Sequence, residues 1–310
     1  MNDLSNRISI YFWAHFDDLP LDKQLHFASR LWLWQHDETA RQALDRLKPR
    51  ILPSDKLVDT LRGIESGELI PLHAGNATLN SLRQPHLDRY PKLRMSSRLL
   101  YWASLLSAVY ELDAKKATTD VLSVQELEKL ATDLRNDKPA LAMLSTHAVN
   151  FLYLYHRDLL ADEAFPDAGF CTDIVSNGSL YDTSDPAQRQ LQLYLLTHAV
   201  IGESRFYQRA IPENTKRSYS ELVEHAETIL KANLDTVNLD NKLEFLVCCR
   251  LVNYVSPLES AILGEAEQSL STEGDFLVDT HNSNGQAAFS SFDKSEHRSV
   301  LYLMATMDRA

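Results

Sequence analysis

Glycine and cysteine are scarce in this sequence. Nine glycines in 310 residues leave few positions for the tight turns of a sheet-rich fold. The three cysteines are Cys171, Cys248 and Cys249. The adjacent pair could bridge only with strain, so we expect no disulfide framework and expect both thiols to pack as small apolar groups. The cysteine pattern fits a reducing compartment.

The chain also lacks a basic excess and a long apolar run. Its 43 acidic and 31 basic side chains give a net charge of -12, which repels phosphate backbones and predicts no nucleic-acid partner. No segment approaches the roughly 18 apolar residues of a membrane span, so no membrane partner is expected. The first residues lack the pattern of a signal peptide. A cytoplasmic location is therefore predicted, or a periplasmic one if a signal peptide was removed.

Several common motifs are missing. The sequence contains no Walker glycine loop, no GxGxxG and no GxSxG, which argues against nucleotide chemistry and a serine nucleophile elbow. It also has no HExxH, no CxxC and no histidine pair at i and i+4, so no metal ligand and no cofactor are predicted. Zinc stays an alternative, because suitable ligand types do occur: His147, Cys171, His198, Asp279 and His281.

Helical periodicity runs through most of the chain. Apolar residues between 21 and 32 recur at spacings of three and four. Ser123 and Glu126 form a capping box, and Asp185-Pro186 is a helix start. Turn residues predict long loops near 70–91, 163–186 and 271–292, within a single all-helical domain over 1–310.

Very apolar helical segments alternate with amphipathic ones, and short sequence echoes recur at unequal intervals. This pattern favours irregular antiparallel α-hairpin repeats, closed into an (α/α) toroid or left as an open α-solenoid. The apolar segments are 99–112, 141–155, 191–202 and 243–255, and the amphipathic segments are 38–48, 122–135 and 217–232.

The tetrapeptide Thr-His-Ala-Val occurs twice and supplies the first candidate site residues. His147 and His198 each lie on a helix that is apolar nearly all round. If both imidazoles face a central cavity, they can act as a catalytic acid/base pair or anchor a ligand. The alternative is that each is a core histidine with a structural hydrogen bond.

Polar residues continue directly after the second histidine. Glu203 and Arg205 are candidate ligand-binding residues, since a guanidinium can grip a carboxylate or phosphate. Tyr207 is a candidate catalytic proton donor. The alternative is a solvated helix terminus, because charged residues are mostly exposed.

Three loops carry further polar groups that could line the mouth of a pocket. The alternative is that they only satisfy turn geometry. The candidate ligand-binding residues in these loops are Asp173, Asp279, His281 and Asn282.

Three segments carry a family resemblance: "LTHAVIGESRFYQ", "HFASRLWLW" and "EHRSVLYLMATM". With them the chain resembles a bacterial family of all-helical proteins of uncharacterised function, and loosely resembles α/α-toroid proteins. The resemblance implies a helical fold and a bacterial origin, and it assigns no catalytic residue.

The leading hypothesis is a central polar pocket for a small organic ligand, either a saccharide or a carboxylated metabolite. If the protein is an enzyme, histidine acid/base chemistry predicts a hydrolase or lyase. One alternative is a helical scaffold that binds a protein partner, and another is a zinc-dependent enzyme.

Overall fold

The computed structural model describes residues 3–71, 77–167, 169–278 and 291–309. Over these residues the chain forms 16 α-helices and no strand. The nearest approach to a sheet in the described chain is an isolated antiparallel bridge between Leu270 and Leu277. The predicted all-α fold class is confirmed.

The helices begin and end as follows. They are α1 (Asp3–Ala14), α2 (Leu21–Gln35), α3 (Glu38–Ile51), α4 (Leu57–Ser66), α5 (Ala77–Arg89), α6 (Leu93–Tyr110), α7 (Ala114–Thr119), α8 (Val124–Asn136), α9 (Lys138–Leu144), α10 (Thr146–Tyr153), α11 (Phe170–Ser176), α12 (Pro186–Glu203), α13 (Glu213–Asn233), α14 (Leu239–Val252), α15 (Glu259–Gln268) and α16 (Phe292–Thr306). Short 3₁₀ turns cover Phe16–Asp18 and Asn177–Leu180, and a π-helical segment, Leu154–Leu159, continues α10.

The chain divides into two compact units, and the single domain over 1–310 stays a prediction. One unit contains residues 1–46 and 223–310, and the other contains residues 47–222. The division falls inside two helices, α3 and α13. We call these the discontinuous unit and the central unit.

In the discontinuous unit, α16 is the central helix. It packs against α1, α2 and α14, and its last three turns are almost entirely buried, including Val300, Tyr302 and Met304. A helix that is apolar on every side requires neighbours all round. Cys248 and Cys249 lie buried as free thiols on α14, as expected of small apolar groups.

In the central unit, α10 takes the corresponding position. It packs against α6, α9 and α12, and Ala148, Phe151 and Leu152 are fully buried. The apolar helices α6 and α12 therefore both pack on α10. Closure of the hairpins into a toroid or a solenoid stays a prediction.

The predicted helix starts are confirmed where side chains cap them. The Ser123 hydroxyl accepts a hydrogen bond from the Glu126 N–H at the start of α8. The Asp185 carboxylate accepts from the Ala187 N–H at the start of α12, where Pro186 is the first helical residue. These local interactions satisfy N–H groups that have no partner within the helix.

The loop predicted near 70–91 is wrong over most of its length, because α5 occupies residues 77–89. Its buried face is Leu79, Arg83 and Leu87, spaced four residues apart. Pro85 inside a helix costs about 3 kcal/mol. Burial of two leucines, worth about 1.5–3 kcal/mol each, offsets that cost.

The other two predicted loops differ less from the structure. Within 163–186 the chain forms α11 and the 3₁₀ turn after it. Residues 271–278 are non-helical, and α16 begins at Phe292. None of the described helices combines the length and apolar character needed to cross a bilayer.

Candidate functional site

The two histidines of the repeated tetrapeptide lie on neighbouring helices of the central unit. His147 is in the first turn of α10, and His198 is in the last two turns of α12. Both side chains are partly exposed. Their helices pack on one another, and the His198 imidazole is near enough to act electrostatically on His147.

The two Thr-His pairs nevertheless differ in local structure. Ser145, just before the first pair, has a positive φ of 41°, so Thr146 begins a new helix. The second pair lies inside α12, where the Thr197 hydroxyl donates to the Leu193 carbonyl at 3.0 Å. Both copies of the tetrapeptide therefore place the histidine on a helix. The two threonines differ, because Thr146 begins a helix and Thr197 lies inside one.

Asn150 orients the second imidazole. The His198 Nδ1 lies 2.9 Å from the Asn150 Oδ1, so with the amide oxygen as acceptor the neutral ring carries its proton on Nδ1. Nε2 then becomes the basic nitrogen of that ring. Asn150 lies one turn after His147 on α10, so one helix face supplies both groups.

His147 lies among basic groups. Burial, together with the positive charges of Arg83 and Arg94 and the imidazole of His198, lowers the pKa of His147 to about 3. The ring is therefore neutral at neutral pH. No carboxylate is among the groups that act most strongly on it.

Arg83 is the residue of this cluster that the sequence reasoning missed. It lies on α5, which packs against α9 and α12, and it is only 8% exposed. Its Nη2 lies 3.5 Å from the Ser145 hydroxyl, at the limit of a hydrogen bond. The spacing of Leu79, Arg83 and Leu87 is the signal that predicts its buried position.

Glu203 belongs to a different site, a buried ion network of the central unit. It is 0% exposed, so the alternative of a solvated helix terminus is wrong for this residue. Arg157 donates to both carboxylate oxygens at 2.9 and 3.0 Å, and Arg209 donates at 3.2 Å. The Tyr219 hydroxyl also donates to Glu203, at 3.0 Å.

Two tyrosines extend this network. Because the Tyr219 hydroxyl donates its hydrogen bond to Glu203, the Tyr153 hydroxyl donates to Tyr219, over 2.6 Å.

Burial raises the pKa of the neighbouring Cys171 thiol to about 12, so this thiol is a poor nucleophile and a poor metal ligand at neutral pH. Gly202 packs directly on the Tyr153 ring: a Cβ there would lie 2.4 Å from ring atom Cδ2.

Arg205 and Tyr207 lie in a left-handed turn that follows α12. Residues 205, 206 and 207 have φ values of 51°, 54° and 77°, a conformation that side chains with a Cβ rarely adopt. The Arg205 guanidinium donates to Glu163 at 2.8 Å and lies 3.8 Å from Asp158. Tyr207 is buried. Protein carboxylates thus surround the guanidinium that the sequence reasoning assigned to a ligand.

Of the remaining predicted residues, the structure describes only Asp173. Asp173, on α11, is exposed and pairs with Lys138 at 2.9 Å. Asp279, His281 and Asn282 lie outside the described residues. Among the residues that are described, no group of three or more His, Cys, Asp or Glu side chains could hold a metal ion.

Another histidine, His26, belongs to a charged cluster in the discontinuous unit. The His26 Nδ1 donates to the buried Glu296 carboxylate at 2.7 Å, and the Lys23 ammonium lies 3.3 Å from the same carboxylate. Arg298, the next buried charge on α16, pairs with Asp240 at 2.6 Å. Cations and carboxylates balance here, as expected of a structural ion network.

A surface groove of about 280 Å³ lies between the start of α6 and α8 in the central unit. Its apolar lining includes Leu122, Leu127 and Leu130. Lys92 at its rim pairs with Glu126 at 2.6 Å. The groove therefore presents an apolar floor and paired charges.

Comparison of the chain with protein-family models, curated proteins and solved structures finds no match.

Proposed function

We propose that this protein binds a small organic ligand at the polar cluster formed by His147, Asn150 and His198. The observation that supports the proposal is the packing of α10 on α12, which places Asn150 within 2.9 Å of His198 and brings His147 near enough to His198 for an electrostatic effect. One imidazole is oriented by an amide, and both remain partly exposed. Partly desolvated polar groups that converge from rigid helices are typical of ligand sites.

Binding fits His147 better than proton donation. A general acid works best when its pKa is near the operating pH, whereas burial and basic neighbours lower the pKa of His147 to about 3. At neutral pH its ring can donate one hydrogen bond and accept another. Saccharide hydroxyls and the polar groups of a carboxylated metabolite both suit such a partner.

An acid/base reaction, of the hydrolase or lyase class, is the enzymatic form of the same proposal. It is supported by the hydrogen bond between His198 Nδ1 and Asn150 Oδ1, which fixes the ring so that Nε2 is the base. His198 is then the general base and His147 a binding residue. Tyr207 has no assigned role in this form.

A thermal-shift screen with sugars, carboxylates and phosphorylated metabolites tests the proposal. A ligand of the site raises the melting temperature of the wild type and of His225→Gln, a control at an exposed histidine of α13. It has little effect on His147→Gln. Equal shifts in all three proteins would show that the ligand binds elsewhere.

A further inference from the structure

Arg83 is a buried cation without a counterion in the described chain. It is 8% exposed, and its Nε has no hydrogen-bond partner among the residues that the structure describes. Burial lowers its pKa, yet a guanidinium stays protonated at neutral pH. A positive charge is therefore held inside the central unit.

Among the described residues, no carboxylate is one of the groups that act most strongly on Arg83. The groups that act most strongly on it are the phenols of Tyr194 and Tyr181 and the cation of Arg94. Tyr181 donates to the Ala142 carbonyl at 2.7 Å, so this phenol is a neutral donor. Arg94 is exposed and adds a second positive charge near the same place.

Two other buried arginines of the described chain are paired with carboxylates. Arg157 contacts the carboxylates of Glu203 and Glu163, and Arg298 contacts Asp240. Leaving a charge buried and unpaired costs several kcal/mol. The contrast between Arg83 and these residues indicates that a group from outside the chain supplies its counterion.

The backbone beside Arg83 also favours an anion. The Ser145 hydroxyl that Arg83 approaches precedes the first turn of α10. N–H groups in a first helical turn have no partner within the helix. His147 lies in the same turn and can donate a further hydrogen bond.

We infer that Arg83 anchors one oxyanion group, a carboxylate or a phosphate monoester, of the small organic ligand. Arg94, the hydroxyl of Ser145 and the imidazole of His147 complete the site. The inference rests on the proposed ligand site and specifies its ligand as an organic anion rather than a neutral saccharide. The guanidinium fork matches two oxygens of either group.

Binding titrations with small probes test this assignment. Acetate, inorganic phosphate and the neutral isostere acetamide are titrated at low ionic strength into the folded full chain. Wild type is expected to bind acetate or phosphate and not acetamide, and the stronger of the two anions identifies which oxyanion the site prefers. No binding of either anion in the millimolar range overturns the inference.

Arginine variants locate the anion. Arg83→Met is expected to weaken binding about tenfold or more, since hydrogen bonds to charged groups are worth about 1.5–3 kcal/mol. Arg83→Lys keeps the charge and should give an intermediate affinity. Arg62→Met removes an exposed cation of α4 in the same unit and should leave the affinity unchanged. Equal affinities of wild type and Arg83→Met overturn the inference.

The ligand screen separates this inference from the proposed function. A ligand that loses affinity in His147→Gln and keeps it in Arg83→Met leaves the histidine site standing and refutes the anion anchor. A ligand that is insensitive to both variants refutes both.

Discussion

Arg83 and Arg157 offer a matched pair of substitutions. Both arginines lie in the central unit, at 8% and 6% exposure. Replacing either with methionine removes the same charge and leaves a side chain of similar length. We expect the two variants to change the free energy of unfolding in opposite directions, because only Arg157 has carboxylate partners.

The cost of Arg157→Met follows from the contacts of Arg157. It donates twice to Glu203 and once to the Glu163 carboxylate, at 2.6 Å. Removing one partner of a buried ion pair costs about 3–5 kcal/mol. Glu203 keeps Arg209 and Tyr219 as donors, so we expect a loss near the lower limit, about 3 kcal/mol.

Arg83→Met removes almost no interaction. The one hydrogen bond of Arg83 among the described residues spans 3.5 Å, at the distance where such bonds contribute little. The substitution also removes the desolvation cost of an unpaired cation. We expect a gain of about 1 kcal/mol in the absence of anions, as when residues of a ligand site are replaced by apolar ones.

Urea denaturation followed by circular dichroism measures both changes. The difference between the two variants should be about 4 kcal/mol, with little change in the denaturant dependence. Arg62→Met, an exposed control, should stay within about 0.5 kcal/mol of wild type. If Arg83→Met destabilises the protein as much as Arg157→Met does, Arg83 has a counterion within the chain and the argument for an external anion fails.

Three further predictions concern packing and ionisation. Gly202→Ala should cost about 2 kcal/mol in urea unfolding, because its Cβ would lie 2.4 Å from the Tyr153 ring. Adding Tyr153→Leu to the same chain should recover part of this loss. If Gly202→Ala leaves the stability unchanged, the contact is refuted. His147 has a pKa of about 3 in the folded state and 6.5 in the unfolded state. The free energy of unfolding should therefore fall as pH drops from 6.5 towards 3, by up to about 1.4 kcal/mol per pH unit. The His147→Gln variant should show a smaller fall between pH 7 and pH 5. Cys171, whose pKa is raised to about 12, should react slowly with iodoacetamide in the native protein, and rapid labelling detected by peptide mass mapping would contradict its burial.

The helices and their starts could be predicted from the sequence because local interactions decide them. Ser123 and Asp185 accept hydrogen bonds from N–H groups two or three residues ahead. The apolar segments are buried because no other placement removes their surfaces from water. Over α5 the turn residues, Pro85 among them, predict a loop, whereas burial of Leu79 and Leu87 stabilises a helix there.

The candidate site was only partly predictable. The repeated tetrapeptide pointed to His147 and His198, which the structure places on adjoining helices. The sequence also predicts that Arg205 binds an anionic ligand, whereas the Glu163 carboxylate, 42 positions away, accepts its hydrogen bond. The sequence reasoning also left out Arg83, since nothing near that residue in the chain marks it as unpaired.

The sequence by itself determined that this chain is helical, which helix faces are apolar and where several helices begin. Those properties depend on residues within a few positions of one another. The tertiary structure alone decided which charges have partners: Arg157 meets Glu203 across 46 positions, and Arg83 meets no carboxylate among its strongest neighbours. The two members of such a pair meet only when packing brings distant segments of the chain together, and the spacing along the chain does not record that contact.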